Sequence, residues 1–497
     1  MRHLLGALLF AAAAWLIAQC ALDHFLMAQG SAEIARAARG ESRLGFEFDR
    51  ARDLIGGAID NASMLPEEPG VVRARLPDGR GNVRLNLRGL ALDARRFRAL
   101  HLRLEVSARA TLSLIFDEPG QLRQWTQRLE LAPGWNVLHA QLSDLDWVAH
   151  SGGQRGHWGG TSGRVGEFRL YLSGAPGLEV ALDHLRFLEA PSGRPTAAIE
   201  WVDTGTAQQM LDGGGIDRPA RLGVLLDVGS ATPERSLELR ERLRALDAEV
   251  LFWPAWRGVP DAGSTASAQV PDGWSPGWIS VAVYAGLALA WRLRRRTHRR
   301  GDAAIELLLG HAPLLALTLG LGLAEQPSPT ALTWLSVALA FQLSGLRVGG
   351  SQWAGTAAAW RAVAGYSLPA ALALLLIAGG LGHWQAPGLE RVTLYIPFVL
   401  LQQALLLGFL LPQSRRLAGA HGATLATALF ALAHAPNFTL MCLTWLIGGR
   451  WIASYHRHRS WLPILASHYV LGLLAITCLP LGWLHSAEAG LRFFQVR

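Results

Sequence analysis

The sequence predicts a polytopic α-helical membrane bundle, with about eight C-terminal spans plus an N-terminal anchor, joined to an exported β-sandwich domain. Three observations predict it. Hydrophobic residues make up 51% of the 497 residues and charged residues only 17%, against about 25% charged in an average soluble domain. The apolar residues gather in one run near the N-terminus and in a series of runs after Trp274, as chain that crosses a bilayer requires. Between them, from about Gly30 to Pro276, short alternating segments are punctuated by Gly, Pro and Asp, the pattern of strands with one wet face.

Composition also removes several classes. Disorder and collagen are excluded by the apolar content. The three cysteines, Cys20, Cys442 and Cys478, all sit in apolar runs, so no pair staples an exported domain and no thiolate metal site is expected. All 46 basic residues are arginine, and they exceed the 38 acids to give a formal charge of +8. They collect beside apolar segments, as at Arg292, Arg294, Arg295, Arg296, Arg299 and Arg300. No basic stripe with interleaved aromatics occurs, so nucleic acid is not a partner and the charge reads as membrane orientation.

Taken in order, residues 1–27 hold the apolar run from Leu4 to Met27 behind Arg2 and His3. It is longer than a signal-peptide core and lacks a small-x-small cleavage site, which predicts an uncleaved signal anchor. Residues 28–198 follow as the exported domain, with strands expected at Val83–Leu87, Ala99–Val106, Thr111–Phe116, Gln127–Leu131, Asn136–Gln141, Glu167–Leu172 and Leu178–Leu188. Short strands at this spacing imply a sandwich. Residues 199–273 read as an α/β connector: a strand from Arg221 to Val228, a helix capped by Thr232 and begun by Pro233, and a strand from Val250 to Trp253. Gly213-Gly214-Gly215 lacks the preceding strand and the spacing of a phosphate loop.

Within the exported domain, Pro133-Gly134-Trp135-Asn136 before a strand and Ala181-Leu182-Asp183-His184-Leu185 at the close resemble galactose-binding-like jelly rolls. The resemblance implies a glycan partner, with Trp125, Trp135, Trp147 and Trp158 as candidate sugar-stacking residues. The other reading of the same tryptophans is as core or loop residues.

Residues 274–497 form the membrane domain, with apolar segments at 277–291, 303–324, 330–346, 362–382, 394–412, 423–435, 437–453 and 461–484. The clusters at 292–300, Arg347 with Arg361, Arg415 with Arg416, and Arg457 with Arg459 fall on one side, which the positive-inside rule makes cytoplasmic. Residues 28–273 are then periplasmic or extracellular. The absence of lysine beside abundant Ala, Gly and Arg suits a bacterium, so the expected location is the bacterial cytoplasmic (inner) membrane.

Polar side chains inside this domain are costly and ask for a partner or a role. Gln402 and Gln403 lie mid-span, His434 ends the next segment with Asn437 beyond it, and His468 lies in the last. Phe430-Ala-Leu-Ala-His434, Pro463-Ile-Leu-Ala-Ser-His468 and the stretch Leu443 to Gly449, after Gln402-Gln403-Ala-Leu-Leu-Leu407-Gly408, resemble the CPBP family, the Abi or type II CAAX prenyl endopeptidase group of intramembrane proteases. The similar core covers about residues 394–485. The resemblance implies an endopeptidase that cuts peptide bonds of a membrane-protein or peptide substrate in or near the lipid bilayer. It implies His434, His468, Gln402 and Gln403 as catalytic positions, and His434 with His468 as candidate ligands of a divalent metal such as zinc.

The pattern departs at its first motif. The family's Glu-Glu-x-x-x-Arg is here Gln402-Gln403-x-x-x-Leu407, Gly472 stands where the last motif often has Asn, and no Asp or Glu occurs between Glu390 and Glu488. Glutamine accepts no proton at working pH and ligates metal more weakly than carboxylate. Two readings follow. One is a protease in which a histidine is the base and the glutamines donate to an oxyanion; the other is a catalytically inactive scaffold or receptor that binds a hydrophobic segment or lipid. Glu306, within five residues of His311, is the nearest membrane-embedded carboxylate, with snorkelling to the interface as its other reading.

Overall fold

Alternation of apolar and polar residues builds the sheet-rich unit. In the computed structural model its strands are β1 (Ser63–Met64), β2 (Val72–Leu76), β3 (Arg80–Arg84), β4 (Leu92–Asp93), β5 (Ala99–Val106), β6 (Ala110–Asp117), β7 (Gln124–Leu131) and β8 (Gly134–Gln141). They continue as β9 (Trp147–Ala149), β10 (Arg155–Gly156), β11 (Arg164–Val165), β12 (Glu167–Gly174) and β13 (Leu178–Leu188). Six of the seven expected strands lie within observed ones, two with identical bounds, and Val83–Leu87 overlaps β3 only at Val83 and Arg84.

The strands form an antiparallel five-stranded sheet, β1-β2-β13-β5-β8, a six-stranded sheet, β10-β9-β7-β6-β12-β3, and the small pair β11-β4. One hydrophobic core draws on both larger sheets, with Leu100, Leu102 and Leu104 from one and Leu112, Leu114 and Leu170 from the other. On β5 the intervening His101, Arg103 and Glu105 are only half-buried, because successive residues of a strand face opposite ways. A register shift between Leu182 and His184 of β13 marks a bulge at Asp183.

The structure describes every residue except 1, 49–52, 67–69, 88–89, 120–123, 150–152, 191–197, 214–220, 261–276, 295–299, 320–328, 347–352, 485–486 and 495–497. Arg295, Arg296, Arg299, Arg347, Gly214, Gly215 and positions 320–324 of one apolar segment, all used above, lie outside the described residues. The chain divides into two compact units, one of Met1–Phe25, Val228–Glu238 and Pro271–Gln495, the other of Leu26–Asp227, Leu239–Val270 and Val496–Arg497.

The first helix, α1, runs from Arg2 to Ala38, eleven residues beyond the expected anchor. The extension persists because its polar turn is paired: Arg244 donates to both oxygens of Glu33 at 2.9 and 2.8 Å. The connector is larger than expected as well. A further strand, β14 (Ile199–Asp203), joins β15 (Arg221–Leu226) and β16 (Leu251–Pro254) in a parallel sheet. Helix α2 (Thr204–Asp212) follows β14, its first turn capped by Asp203, which accepts from Thr206 N. Helix α3 (Pro233–Leu246) begins where expected, with Arg235 N donating to the Thr232 hydroxyl.

The helical unit continues with α4 (Trp278–Leu293), α5 (Arg300–Gly310), α6 (Ala312–Leu319), α7 (Pro329–Ser344), α8 (Ala357–Leu381), α9 (Leu389–Gln403), α10 (Leu411–Ala418), α11 (Gly422–Leu432), α12 (Phe438–His458), α13 (Leu462–Cys478) and α14 (Leu481–Leu484). Among the described residues three helical runs are long and apolar enough to cross a membrane: Leu5–Ala38, Ala357–Leu381 and Arg391–Leu432. They mark a membrane protein. The expected segment 303–324 is broken between α5 and α6 at His311, 461–484 between α13 and α14, and 394–412 with 423–435 belong to the single run Arg391–Leu432.

Candidate functional site

Helix α9 carries the glutamine pair at its C-terminal end, and the backbone then widens into a π turn over Ala404–Leu410. There Leu411 N–H bonds the carbonyl of Leu406, five residues back. Such wide turns often mark functional positions in helices. The turn buries Leu407 among apolar neighbours.

Two amide–imidazole pairs result. Gln402 Nε2 lies 3.4 Å from His434 Nε2, and Gln403 Nε2 lies 2.9 Å from His468 Nδ1. His434 Nδ1 is 3.0 Å from the Phe430 carbonyl. A carbonyl only accepts, so Nδ1 carries the proton and Nε2 presents the lone pair that takes the Gln402 amide hydrogen. Gln403 likewise donates to His468 Nδ1, and its own Oε1 is buried with no hydrogen-bond partner among the described residues.

Surrounding side chains hold this arrangement. The Trp451 ring lies 4.4 Å from that of His468, and Trp451 Nε1 donates to Ser467 Oγ at 3.0 Å. Ser467 in turn meets Ser367 at 2.7 Å. A Cβ on Gly472 would stand 1.9 Å from the Tyr395 hydroxyl, which explains glycine at this position. Asn437 is structural: its Oδ1 caps α12 by accepting from Leu440 N, and its Nδ2 donates to the Leu484 carbonyl at 2.7 Å.

Two positions depart from expectation. Glu306 does not snorkel; it is buried 3.9 Å from Arg292. His311, noted in the sequence only as its neighbour, is a third buried imidazole and donates from Nε2 to the Leu429 carbonyl at 2.9 Å, beside Phe430. Its position in an apolar run was the signal that could have found it. Zinc wants three protein donors with free lone pairs. Around His434 and His468 no group of three His, Cys, Asp or Glu side chains completes such a set among the described residues, and the amides occupy the facing nitrogens. That ion does not fit this donor set.

An apolar cavity of about 370 Å³ lies in the same unit, lined by Leu16, Ile17, Cys20, Ala21 and His24 of α1 with Thr318 and Pro436.

The structure separates the four tryptophans of the sheet-rich unit. Trp125, Trp147 and Trp158 are 2%, 0% and 5% exposed, and each indole N–H is satisfied inside: Trp125 by Glu118, Trp147 by the Leu142 carbonyl, Trp158 by the Phe97 carbonyl. Their rings pack on Phe116, so they are core residues and have no face open to a sugar. Trp135 is 40% exposed, but the Arg103 guanidinium covers its ring at 4.3 Å.

No family model matches the chain, and no curated protein does. Two solved structures are similar to part of it. The structure of PfGH50B is 12% identical with a TM-score of 0.21, covering 27% of this chain and 22% of that one. The chain thus spans about a fifth of that protein's length. The family 11 carbohydrate-binding module of the cellulosomal cellulase Lic26A-Cel5E of Clostridium thermocellum is 7% identical with a TM-score of 0.20, covering 26% of this chain and 82% of that one.

Proposed function

We propose that the chain is a non-catalytic CPBP-like membrane protein, a scaffold or receptor whose helical unit binds a hydrophobic segment or lipid. In this reading the unit spans the cytoplasmic membrane of a bacterium about eight times after the anchor, and the two larger sheets form an exported β-sandwich over residues 28–198, with the connector at 199–273.

The observation that carries the reading is the pairing of Gln402 with His434 and Gln403 with His468. Peptide hydrolysis needs a group that takes a proton from the attacking water. Each imidazole nitrogen that faces a glutamine already accepts an amide hydrogen, and the glutamine behind it accepts none. The pairs are neutral and join helix to helix through amide-to-imidazole hydrogen bonds, which is what amides and imidazoles do when they hold helices together. The apolar cavity beside Pro436 supports a hydrophobic ligand.

The test compares newly formed protein N-termini in membranes that express the wild type or His434→Ala at matched abundance. Coincident profiles are expected. Termini present with the wild type and lost with His434→Ala would overturn the reading and establish proteolysis despite the glutamines.

A further inference from the structure

Helix α1 has two unlike faces along its apolar run. Ala14, Ala18 and Leu22, spaced four apart, are fully buried, and Ala14 and Ala18 pack with Ala435 and Met441. Leu16, Cys20 and His24 repeat that spacing on the opposite side of the helix and are exposed. With Ile17 and Ala21 of α1, Thr318 of α6 and Pro436, they line the apolar cavity of about 370 Å³. The amide and hydroxyl groups of this region are engaged elsewhere. Gln19 donates to the Ala231 carbonyl at 2.8 Å, and the Thr318 hydroxyl bonds back to Leu314 and Leu315 of its own helix.

We propose that this cavity holds one acyl chain of a membrane phospholipid, lying lengthwise along α1. The proposal rests on the reading of the helical unit as a binder of a hydrophobic segment or lipid, and it selects the lipid. Size makes the selection. A helix about 10 Å across fills roughly 400 Å³ per turn of 5.4 Å. The cavity therefore takes less than one turn of a segment that needs about 20 residues to cross a membrane. An extended peptide fits no better, because its backbone N–H and C=O groups would go unpaired against these side chains, and lipid surroundings do not relieve that cost. An acyl chain carries no such groups.

Length and polarity agree with this choice. From Leu16 to His24 the helix rises about 12 Å, close to the roughly 15 Å of hydrocarbon in one leaflet. These residues occupy the half of the apolar run remote from Arg2, so the chain belongs to the leaflet at the exported end of α1. His24 stands at the polar end of the stripe, where an imidazole N–H donates to an ester or phosphate oxygen.

The test uses the full chain reconstituted in vesicles of phosphatidylethanolamine and phosphatidylglycerol, with a trace of phosphatidylcholine that carries a diazirine midway along one acyl chain. After irradiation the labelled peptides are mapped by mass spectrometry. Label on α1 residues 16–24 is expected to exceed several-fold that on Leu368, Leu372 and Leu376, which are exposed on α8 and report passing lipid. Ala21→Trp should lower the α1 label about tenfold, since its ring displaces more than the two buried methylenes that such a factor represents, and leave the α8 label unchanged. Should Ala21→Trp not fold, Cys20→Trp at its exposed position carries the same comparison. Equal label on the two helices, or an α1 label untouched by the filling variant, would overturn the site. A second arm adds a synthetic Leu/Ala helix of spanning length, which is expected to leave the α1 label unchanged. Displacement of that label by the peptide would overturn the lipid while keeping the wider reading of a hydrophobic-segment binder.

Discussion

The two units bury polar groups differently at their best-paired positions, although the helical unit also encloses one charged pair, Glu306 with Arg292. In the sheet-rich unit, charges are buried in opposed pairs: Arg221 meets Glu189 at 2.7 Å with both side chains almost fully enclosed, and Arg244 meets Glu33. In the helical unit, Gln402, Gln403, His434 and His468 are joined as neutral pairs, and Asn437 is absorbed by backbone groups. The difference follows from the solvent of the unfolded alternative. A charge that leaves water can be repaid by an opposite charge with good geometry, whereas a helix that inserts in lipid is penalised for every charge it carries. Gln402, Gln403 and Leu407 carry no charge, so this stretch meets no such penalty, and it offers no carboxylate as a proton acceptor.

The largest effect expected from this contrast is at Arg221. Arg221→Met leaves Glu189 buried without its closest cation and should cost about 3–5 kcal/mol, read as a lowered thermal midpoint of the purified chain. The matching cut in the helical unit is His468→Leu, which strands the Gln403 amide and should cost about 1–3 kcal/mol. Gln403→Leu/His468→Leu should recover most of that loss, since an apolar pair leaves nothing unsatisfied. If His468→Leu proves as costly as Arg221→Met, the neutral-pair account of the helical unit is wrong.

These side chains also show what the sequence could reveal. Alternation placed Ala99–Val106 and Leu178–Leu188 to the residue, because each strand has one face in a single core. Their polarity inside apolar runs singled out the four residues of the amide–imidazole pairs. Partners distant in sequence were invisible: the turn holding Glu33 is stabilised by Arg244, so α1 runs past its apolar stretch. Hydropathy also missed the break at His311, which remains within an apolar run while the helix changes. Tryptophan is ambiguous by nature, since a buried indole needs only one acceptor, and the acceptors of Trp147 and Trp158 are backbone carbonyls.

A smaller prediction sharpens the helical side of the contrast. The substitution Gly472→Asn drives a side chain into the Tyr395 hydroxyl and should cost about 1–3 kcal/mol by overpacking. Tyr395→Ala should relieve it, because the obstruction is a side chain and not backbone. Failure of the double variant to recover would mean that Gly472 is required for its backbone.

The smallest effect belongs to the sheet face. His101 titrates at about 4 in the folded chain against an ordinary 6.5, because burial and then His184 and His139 disfavour its charge. The unfolded chain therefore binds the proton first, so stability falls as pH drops from about 6.5 toward 4 and changes little above that window. Because His101 is only half-buried, solvent screening makes the slope shallow. His101→Asn should flatten this part of the profile, measured as thermal midpoint against pH. An equally steep profile in His101→Asn would remove this ring as the source of the slope and leave the acid limb to other groups.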